Sequence, residues 1–237
     1  MEDSGAERLI HTYGRRRGRR LRESQRALLE SALPTLAIAP GETPLDPRGL
    51  FAPGTKEIWL EIGFGGGEHL AAQAAAHPEV GIIGCEPFVN GVVSLLGHVQ
   101  ARALRNVRIW SHDARDLIAR LPVASLARAF ILFPDPWPKA RHHKRRLIAA
   151  PFLDALARVL APGAELRVAT DDADYRDWIL ERLPDHPAFR PQDRADWQAR
   201  PADWPPTRYE QKAVAAGRAP VYMRFRRAPE AVPENLA

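Results

Sequence analysis

The sequence predicts an α/β domain built on a doubly wound, mostly parallel sheet. Three observations predict it. From residue 57 onward, short apolar runs of strand type alternate at a regular pitch with segments of helical period. A glycine cluster at 63, 65, 66 and 67 follows the first run and opens the first helix of the alternation. A glycine or a carboxylate stands at the exit of each of the first five strands. Ligands of such sheets bind beyond the carboxyl ends of the strands, and helix capping explains only one or two of those acids.

Ahead of the alternation, "SQRALLESALPTL" predicts a short helix, and the Pro/Gly-rich stretch 39–55 a linker. "EIWLEI" (57–62) has the character of a buried strand, and "GEHLAAQAAAH" (67–77) sets Ala and Leu on one helical face. "VGIIGCE" (80–86) is the second strand and "NGVVSLLGHVQARAL" (90–104) the next helix. "NVRIWSH" (106–112) and "ARAFILF" (127–133) are strands, with the helix "ARDLIARL" (114–121) between them. "RLIAAPFLDALARVL" (146–160) is a helix that tolerates Pro151 near its first turns. "GAELRVAT" (163–170) is a strand and "DADYRDWILERL" (172–183) a helix opening on acids. "VYMRFRR" (221–227) closes the sheet as an antiparallel strand. The organisation that follows is a flexible Arg-rich extension with its linker over 1–55, a ligand-binding domain over 56–227 and a tail over 228–237.

The chain has 237 residues, 45% hydrophobic and 27% charged, enough for one sizeable domain with a real core. No apolar run reaches membrane-spanning length, and residues 1–8, acidic and small, do not read as a secretory signal. Cys85 is the only cysteine, expected as a small buried filler, so no internal disulfide can form. No Cys/His cluster suggests a metal. A cytoplasmic protein without membrane or metal partner is the expectation; the oligomeric state is open.

Net charge is +5, but its distribution says more. "RRRGRRLR" (15–22) holds six arginines and "KARHHKRR" (139–146) five Lys or Arg, neither with an acid. Outside the two blocks 23 bases face 29 acids, a net of −6. Positive charge gathered into two places is the pattern of a polyanion binder.

Gly63 and Gly65 let backbone amides approach a ligand closely. A dinucleotide fingerprint would need a third glycine where Glu68 stands. Glu86, at the end of the second strand, suits a pair of ribose hydroxyls, as NAD and S-adenosylmethionine both require. Glu61 favours the latter, because a carboxylate there repels pyrophosphate and attracts an amino or sulfonium cation. Asp113 can accept from an adenine amine. In "FPDPWPKARHHKRR" (133–146), three prolines stiffen the exit of the fourth strand and set the directions of Asp135 and Trp137. A planar acceptor beside an aromatic face is what a nucleobase needs. The rival reading is a rigid loop around a buried Trp. His142 and His143 lack carboxylate or Cys partners at helical spacing and read as solvated or phosphate-facing. "TRYE" (207–210) reads equally as a core-packing corner or as part of a site.

At these motifs the sequence resembles a known family. "LEIGFGGGEHL", "FPDPWPKARHHKRR", "VATDDADY" and "TRYEQKA" look like the bacterial tRNA (guanine-N7-)-methyltransferases, over roughly residues 50–226. The resemblance implies a seven-stranded, Rossmann-like class I methyltransferase fold and S-adenosylmethionine as cofactor. It implies transfer of a methyl group to N7 of the variable-loop guanine at position 46 of tRNA. It implies cofactor contacts at Glu61, Gly63, Gly65, Glu86, Asp113 and Asp135, with Asp135 also catalytic. Lys139, Asp171, Thr207, Arg208, Tyr209 and Glu210 match substrate-contacting positions, and Arg141, His142, His143, Lys144, Arg145 and Arg146 an RNA-interacting stretch. The Arg-rich N-terminus and the tail depart from the family pattern. Competing readings are a non-catalytic RNA binder on a nucleotide fold, an amine methyltransferase and a nicotinamide enzyme. Against the amine methyltransferase, Trp137 stands where such loops carry a second Pro.

Overall fold

The computed structural model describes residues 14, 16–41 and 44–229. The parts of the expected extension, linker and tail that carry residues 1–13, 15, 42–43 and 230–237 lie outside the described residues. Five parallel strands, β1 (Glu57–Ile62), β2 (Val80–Cys85), β3 (Val107–Trp110), β4 (Leu126–Leu132) and β5 (Leu160–Thr170), join β6 (Phe189–Gln192) and β7 (Val221–Arg227) in one seven-stranded sheet. The order is β3-β2-β1-β4-β5-β7-β6, with β7 antiparallel to both of its neighbours. The winding reverses between β1 and β4, where such sheets open a crevice.

β1 and β2 bury both faces, as their apolar runs predict. On one face Ile58, Leu60 and Ile62 of β1 pack with α4 (Ala114–Arg120), α5 (Ala150–Val159) and α6 (Ala173–Arg182). On the other, Trp59 packs with α2 (Glu68–Ala76) and α3 (Val89–Ala101). Side chains alternate along a strand, so Glu61 falls on the Trp59 face, toward α2. That register decides which partner Glu61 meets.

The structure departs from expectation in four places. The helix expected from 146 begins at Ala150; residues 140–145 form a 3-10 turn and Ala149 is extended. Arg146, at φ −59° and ψ 132°, is likewise outside the helical region. The strand expected from 163 begins at Leu160, with a register irregularity against β4 between Leu126 and Arg128. Residues 189–192 and α7 (Arg208–Ala215) are regular elements that apolar period does not reveal. Finally, the expected boundary at 55/56 falls inside the packed unit. Leu28, Leu29, Leu33 and Leu36 of α1 (Glu23–Leu36) pack against the α2–α3 core, Ile38 N donates to Ile109 O at 2.9 Å, and Phe51 is buried. Among the described residues no helix is long and apolar enough to cross a membrane.

Candidate active site

A concave pocket of about 770 Å³ opens at the carboxyl ends of β1 to β4. The β1 exit is a chain of left-handed glycines, Gly63 at φ 73°, Gly65 at φ 54° and Gly67 at φ 81°. Residues with a Cβ resist that conformation. Gly65 also touches α3 backbone to backbone: a Cβ on Gly91 would stand 2.3 Å from Gly65 O. The acid after β2 locks the same loop. Glu86 accepts from Gly65 N at 2.8 Å through Oε2 and from Phe88 N at 3.0 Å through Oε1. Burial raises its pKa above the usual carboxylate value; the two amides oppose the rise and the charges of Asp135 and Glu61 add to it.

Glu61 is 2% exposed and meets His69 Nδ1 at 2.7 Å. Gln73 Nε2 donates to Asp203 O at 2.8 Å and lies 3.4 Å from His69 Nε2. With that amide nitrogen facing Nε2, Nδ1 carries the hydrogen bond to Glu61. The partner of Glu61 inside the fold is thus a histidine. Asp113 lines the pocket and caps α4, accepting from Arg115 N at 2.9 Å and pairing with Arg115 Nε at 3.2 Å.

Asp135 stands on the opposite wall. Its carboxylate reaches solvent, yet the surrounding pocket walls desolvate it enough to raise its pKa. Phe133 at φ 52° and Trp137 at φ 46° flank it, both left-handed and neither a glycine. Such residues cost of order 1–3 kcal/mol each and persist where the surroundings over-determine them. Trp137 is held by the guanidinium of Arg145, 5.0 Å from its ring centroid, and edge-on by His142 at 5.9 Å.

One expectation is overturned here. Arg146 is 4% exposed and does not face RNA. Its Nε donates to Pro136 O at 2.8 Å, its guanidinium pairs with Asp174, and it stacks 4.9 Å from the Trp178 ring centroid. The rest of the block divides by accessibility. Lys139, Arg141 and Lys144 are exposed, and His142, His143 and Arg145 are partly covered. His143 Nε2 lies 3.6 Å from Asp174 Oδ2. His142 is held below the usual imidazole pKa, by desolvation and then by Arg145, Arg141, Lys139 and Lys144.

The "TRYE" stretch combines both of its readings. Thr207 and Glu210 form a reciprocal cap on α7, Glu210 N donating to Thr207 Oγ1 at 3.0 Å and Thr207 N to Glu210 Oε2 at 3.3 Å. Glu210 also accepts from Tyr222 OH at 2.6 Å and pairs with Arg200 at 2.9 Å. Arg208 and Tyr209, between them, point outward. Tyr209 lies over the glycine loop, where a Cβ on Gly65 would stand 2.7 Å from its Cε2. Burial, then Glu86 and Asp135, raise its hydroxyl pKa. Asp171 is paired with Arg218 at 2.9 Å and does not line the pocket. The sequence reading missed His69, Phe88 and Arg115. His69 follows the glycine loop in "GEHL", but nothing in apolar period or composition connects it to Glu61. Among the described residues no group of three His, Cys, Asp or Glu could hold a metal ion.

A family model described as "Putative methyltransferase" matches residues 55–223. A tRNA (guanine-N(7)-)-methyltransferase of Rhodospirillum rubrum is 52% identical over 233 residues, covering 95% of this chain and 91% of that protein. One from Caulobacter vibrioides is 52% identical over 219 residues, 92% and 95% of the two chains. One from Jannaschia sp. is 48% identical over 223 residues, 91% and 93%. Among solved structures, the 16S rRNA methyltransferase KamB aligns with a TM-score of 0.51 at 14% identity, over 74% of this chain and 90% of that one. The antibiotic-resistance methyltransferase Kmr aligns with a TM-score of 0.50 at 21% identity, over 76% and 90%. At those identities the likeness is one of fold.

Proposed function

The chain belongs to the tRNA (guanine-N(7)-)-methyltransferase family and is an S-adenosylmethionine-dependent methyltransferase with that activity, and we propose that its target is the variable-loop guanine at tRNA position 46. The observation that carries the reading at the site is the placement of Glu86 and Asp135 on two walls of one pocket, with the glycine loop between them. The residues present fit the cofactor. The pocket volume lies within the roughly 300–1,000 Å³ usual for small-molecule sites. Glu86 and Asp113 line it, Glu61 adds charge from the strand end that enters the loop, and such acidity suits a cation where it would repel pyrophosphate.

S-adenosylmethionine supplies an electrophilic methyl carbon on a sulfonium. Guanine N7 carries an in-plane lone pair and no proton, so the protein needs no general base. Its work is alignment, which can contribute on the order of 7–11 kcal/mol in favourable cases. Glu86 and Asp113 orient the ribose and adenine. Gly63 and Gly65 would hold the methionine end, with Glu61 adding negative charge from behind the loop. Asp135 stabilises the positive charge that develops on the purine, the form of catalysis that preorganised charge in a sheltered site performs best. Arg208 and Tyr209 face the substrate from the capped end of α7, with Thr207 and Glu210 holding them there. Lys139 and Asp171, which lie outside the pocket lining, would meet the substrate beyond it. Arg141, His142, His143, Lys144 and Arg145 meet tRNA phosphates, while Arg146 holds the loop that presents them.

Incubation with labelled S-adenosylmethionine and unmodified tRNA, followed by mapping of the labelled base, tests the reading. Label is expected on N7 of guanine 46 and absent from a transcript carrying adenine there. Label that persists in that transcript overturns the assignment of position.

A further inference from the structure

The arginine run near the N-terminus is absorbed by none of the chemistry above, yet it is built into the fold. Arg16 O accepts from Val89 N at 3.1 Å, Gly18 N donates to Asn90 Oδ1 at 2.8 Å, and Asn90 Nδ2 donates back to Arg19 O at 2.9 Å. The run lies so close to α3 that a Cβ on Gly18 would stand 2.6 Å from Phe88 Cζ. The glycine that interrupts "RRRGRR" is therefore the point of closest approach. The backbone is tied down while the side chains of Arg16, Arg17, Arg19 and Arg20 are all exposed. Among the described residues, none of the arginine ion pairs involves these four.

Position gives the run a meaning. Gly14 lines the pocket beside Phe88, and Arg145 and Pro138 line it from the other side. The two acid-free basic segments thus stand beside the exits of β2 and β4, the two strands that flank β1. An uncommitted solvated run gains nothing from this place. It puts four cations against the N-terminal end of α3, where the helix dipole is positive and like charge is disfavoured. A polyanion crossing the pocket mouth reverses that sign.

We propose that Arg16, Arg17, Arg19 and Arg20, pinned to α3 through Asn90, form the second half of the tRNA phosphate-binding surface, so that the substrate backbone passes between them and residues 139–145 while the target base enters the pocket. The proposal deepens the tRNA reading and rests on it. Phosphate contacts position a nucleic acid without reading its sequence, so this surface sets affinity and register and leaves the choice of base to the pocket.

The test is tRNA binding by the full chain at graded NaCl, for the wild type and for R16A/R17A/R19A/R20A, with S-adenosylmethionine affinity by calorimetry and a thermal melt alongside. The quadruple variant is expected to bind tRNA at least about tenfold more weakly near 0.15 M salt. Its plot of log affinity against log salt is expected to flatten by about three, since each phosphate contact carries roughly 0.7–0.9 of slope. S-adenosylmethionine affinity stays unchanged and the melting temperature does not fall, since the removed cations oppose the helix dipole. Asn90→Ala keeps every arginine and releases the run; it is expected to raise the tRNA KM and leave kcat nearly constant. An unchanged tRNA Kd and salt slope in the quadruple variant overturns the proposal, as does an unchanged tRNA KM in Asn90→Ala. Wild-type chain that binds tRNA but labels none of its guanines would instead sink the functional reading, so the two failures are distinguishable.

Discussion

Arg146 Nε donates to the carbonyl oxygen of Pro136 at 2.8 Å, one residue beyond Asp135. From the sequence it is the last of the five Lys or Arg residues in the block 139–146. In the fold it turns inward, pairs with Asp174 and lies against Trp178 and Tyr175. The hydroxyl of Tyr175 accepts from Ile148 N at 3.2 Å, and burial pushes its pKa up to about 12. The loop presenting Asp135 is thus anchored to α6 by a guanidinium with no view of solvent.

Arg146→Lys keeps the charge and loses the planar fork that serves Pro136 and Asp174 together. The expected outcome is a kcat at least about tenfold lower, because small misplacements of a catalytic group are costly. Stability falls by about 1–3 kcal/mol from the carbonyl left unsatisfied. The salt slope of tRNA binding stays at the wild-type value. A flattened slope would return Arg146 to the phosphate-binding surface.

Asp135→Asn should separate stability from rate. The folded pKa of Asp135 is raised by desolvation. Between the ordinary carboxylate value and that raised value the folded chain binds more protons than the unfolded one, so stability falls as pH rises through the window. Asparagine removes the charge, and the ligand-free variant is expected to melt above wild type at pH 7. The difference should vanish at a pH well below about 4. The methylation rate should fall by about 10²–10³ with nearly constant ratio from about pH 6.5 to 9, the cost of losing one preorganised charge. A loss confined to one limb of the pH profile would mean that Asp135 acts as a base.

Two glycines of α3 offer a controlled comparison. A Cβ at Gly91 would stand 2.3 Å from Gly65 O, whereas one at Gly97 meets nothing within 4 Å. Gly97→Ala is expected to stabilise by up to about 1 kcal/mol through helix propensity. Gly91→Ala is expected to destabilise by about 2 kcal/mol or more and to weaken S-adenosylmethionine binding, because backbone at Gly65 cannot yield without moving the cofactor loop. Denaturant melts and calorimetry on both variants decide the matter; equal shifts would show that the loop gives way freely.

His69→Phe removes the donor that meets Glu61 and leaves a carboxylate 2% exposed without it. The expected cost is about 1–3 kcal/mol of stability, with weaker S-adenosylmethionine binding by calorimetry. His69→Gln, which retains a donor, should recover part of both. Cofactor affinity equal to wild type in His69→Phe would separate Glu61 from the cofactor.

Much of the fold is legible because burial imposes a period. β1 and β2 are short and apolar on both faces, and they fall within a residue of where composition places them. β6 and α7 escaped because neither is made by an apolar stripe. β6 carries Arg, Pro and Gln in four residues, and α7 is set by the Thr207–Glu210 cap and the tertiary partner Tyr222. Of the site, Gly63, Gly65, Glu86, Asp113 and Asp135 meet at one pocket as their positions at strand exits imply. Lys139 and Asp171 lie outside its lining, and Glu61 is turned to His69.

The alternation of strands and helices along the chain, the glycine turn, the acids beyond the strand ends and the rigid Pro-Asp-Pro-Trp-Pro segment were legible in the sequence alone, because each follows from local conformation and from the alternation that burial enforces. Which charges face the ligand was decided only in three dimensions. Arg146 and Arg145 are neighbours of identical chemistry, yet Arg146 is enclosed by α6 and Arg145 lies on the pocket wall. Glu61 meets His69 because one strand's register turns it toward α2. A side chain's direction depends on what packs across from it, and that contact has no counterpart along the chain.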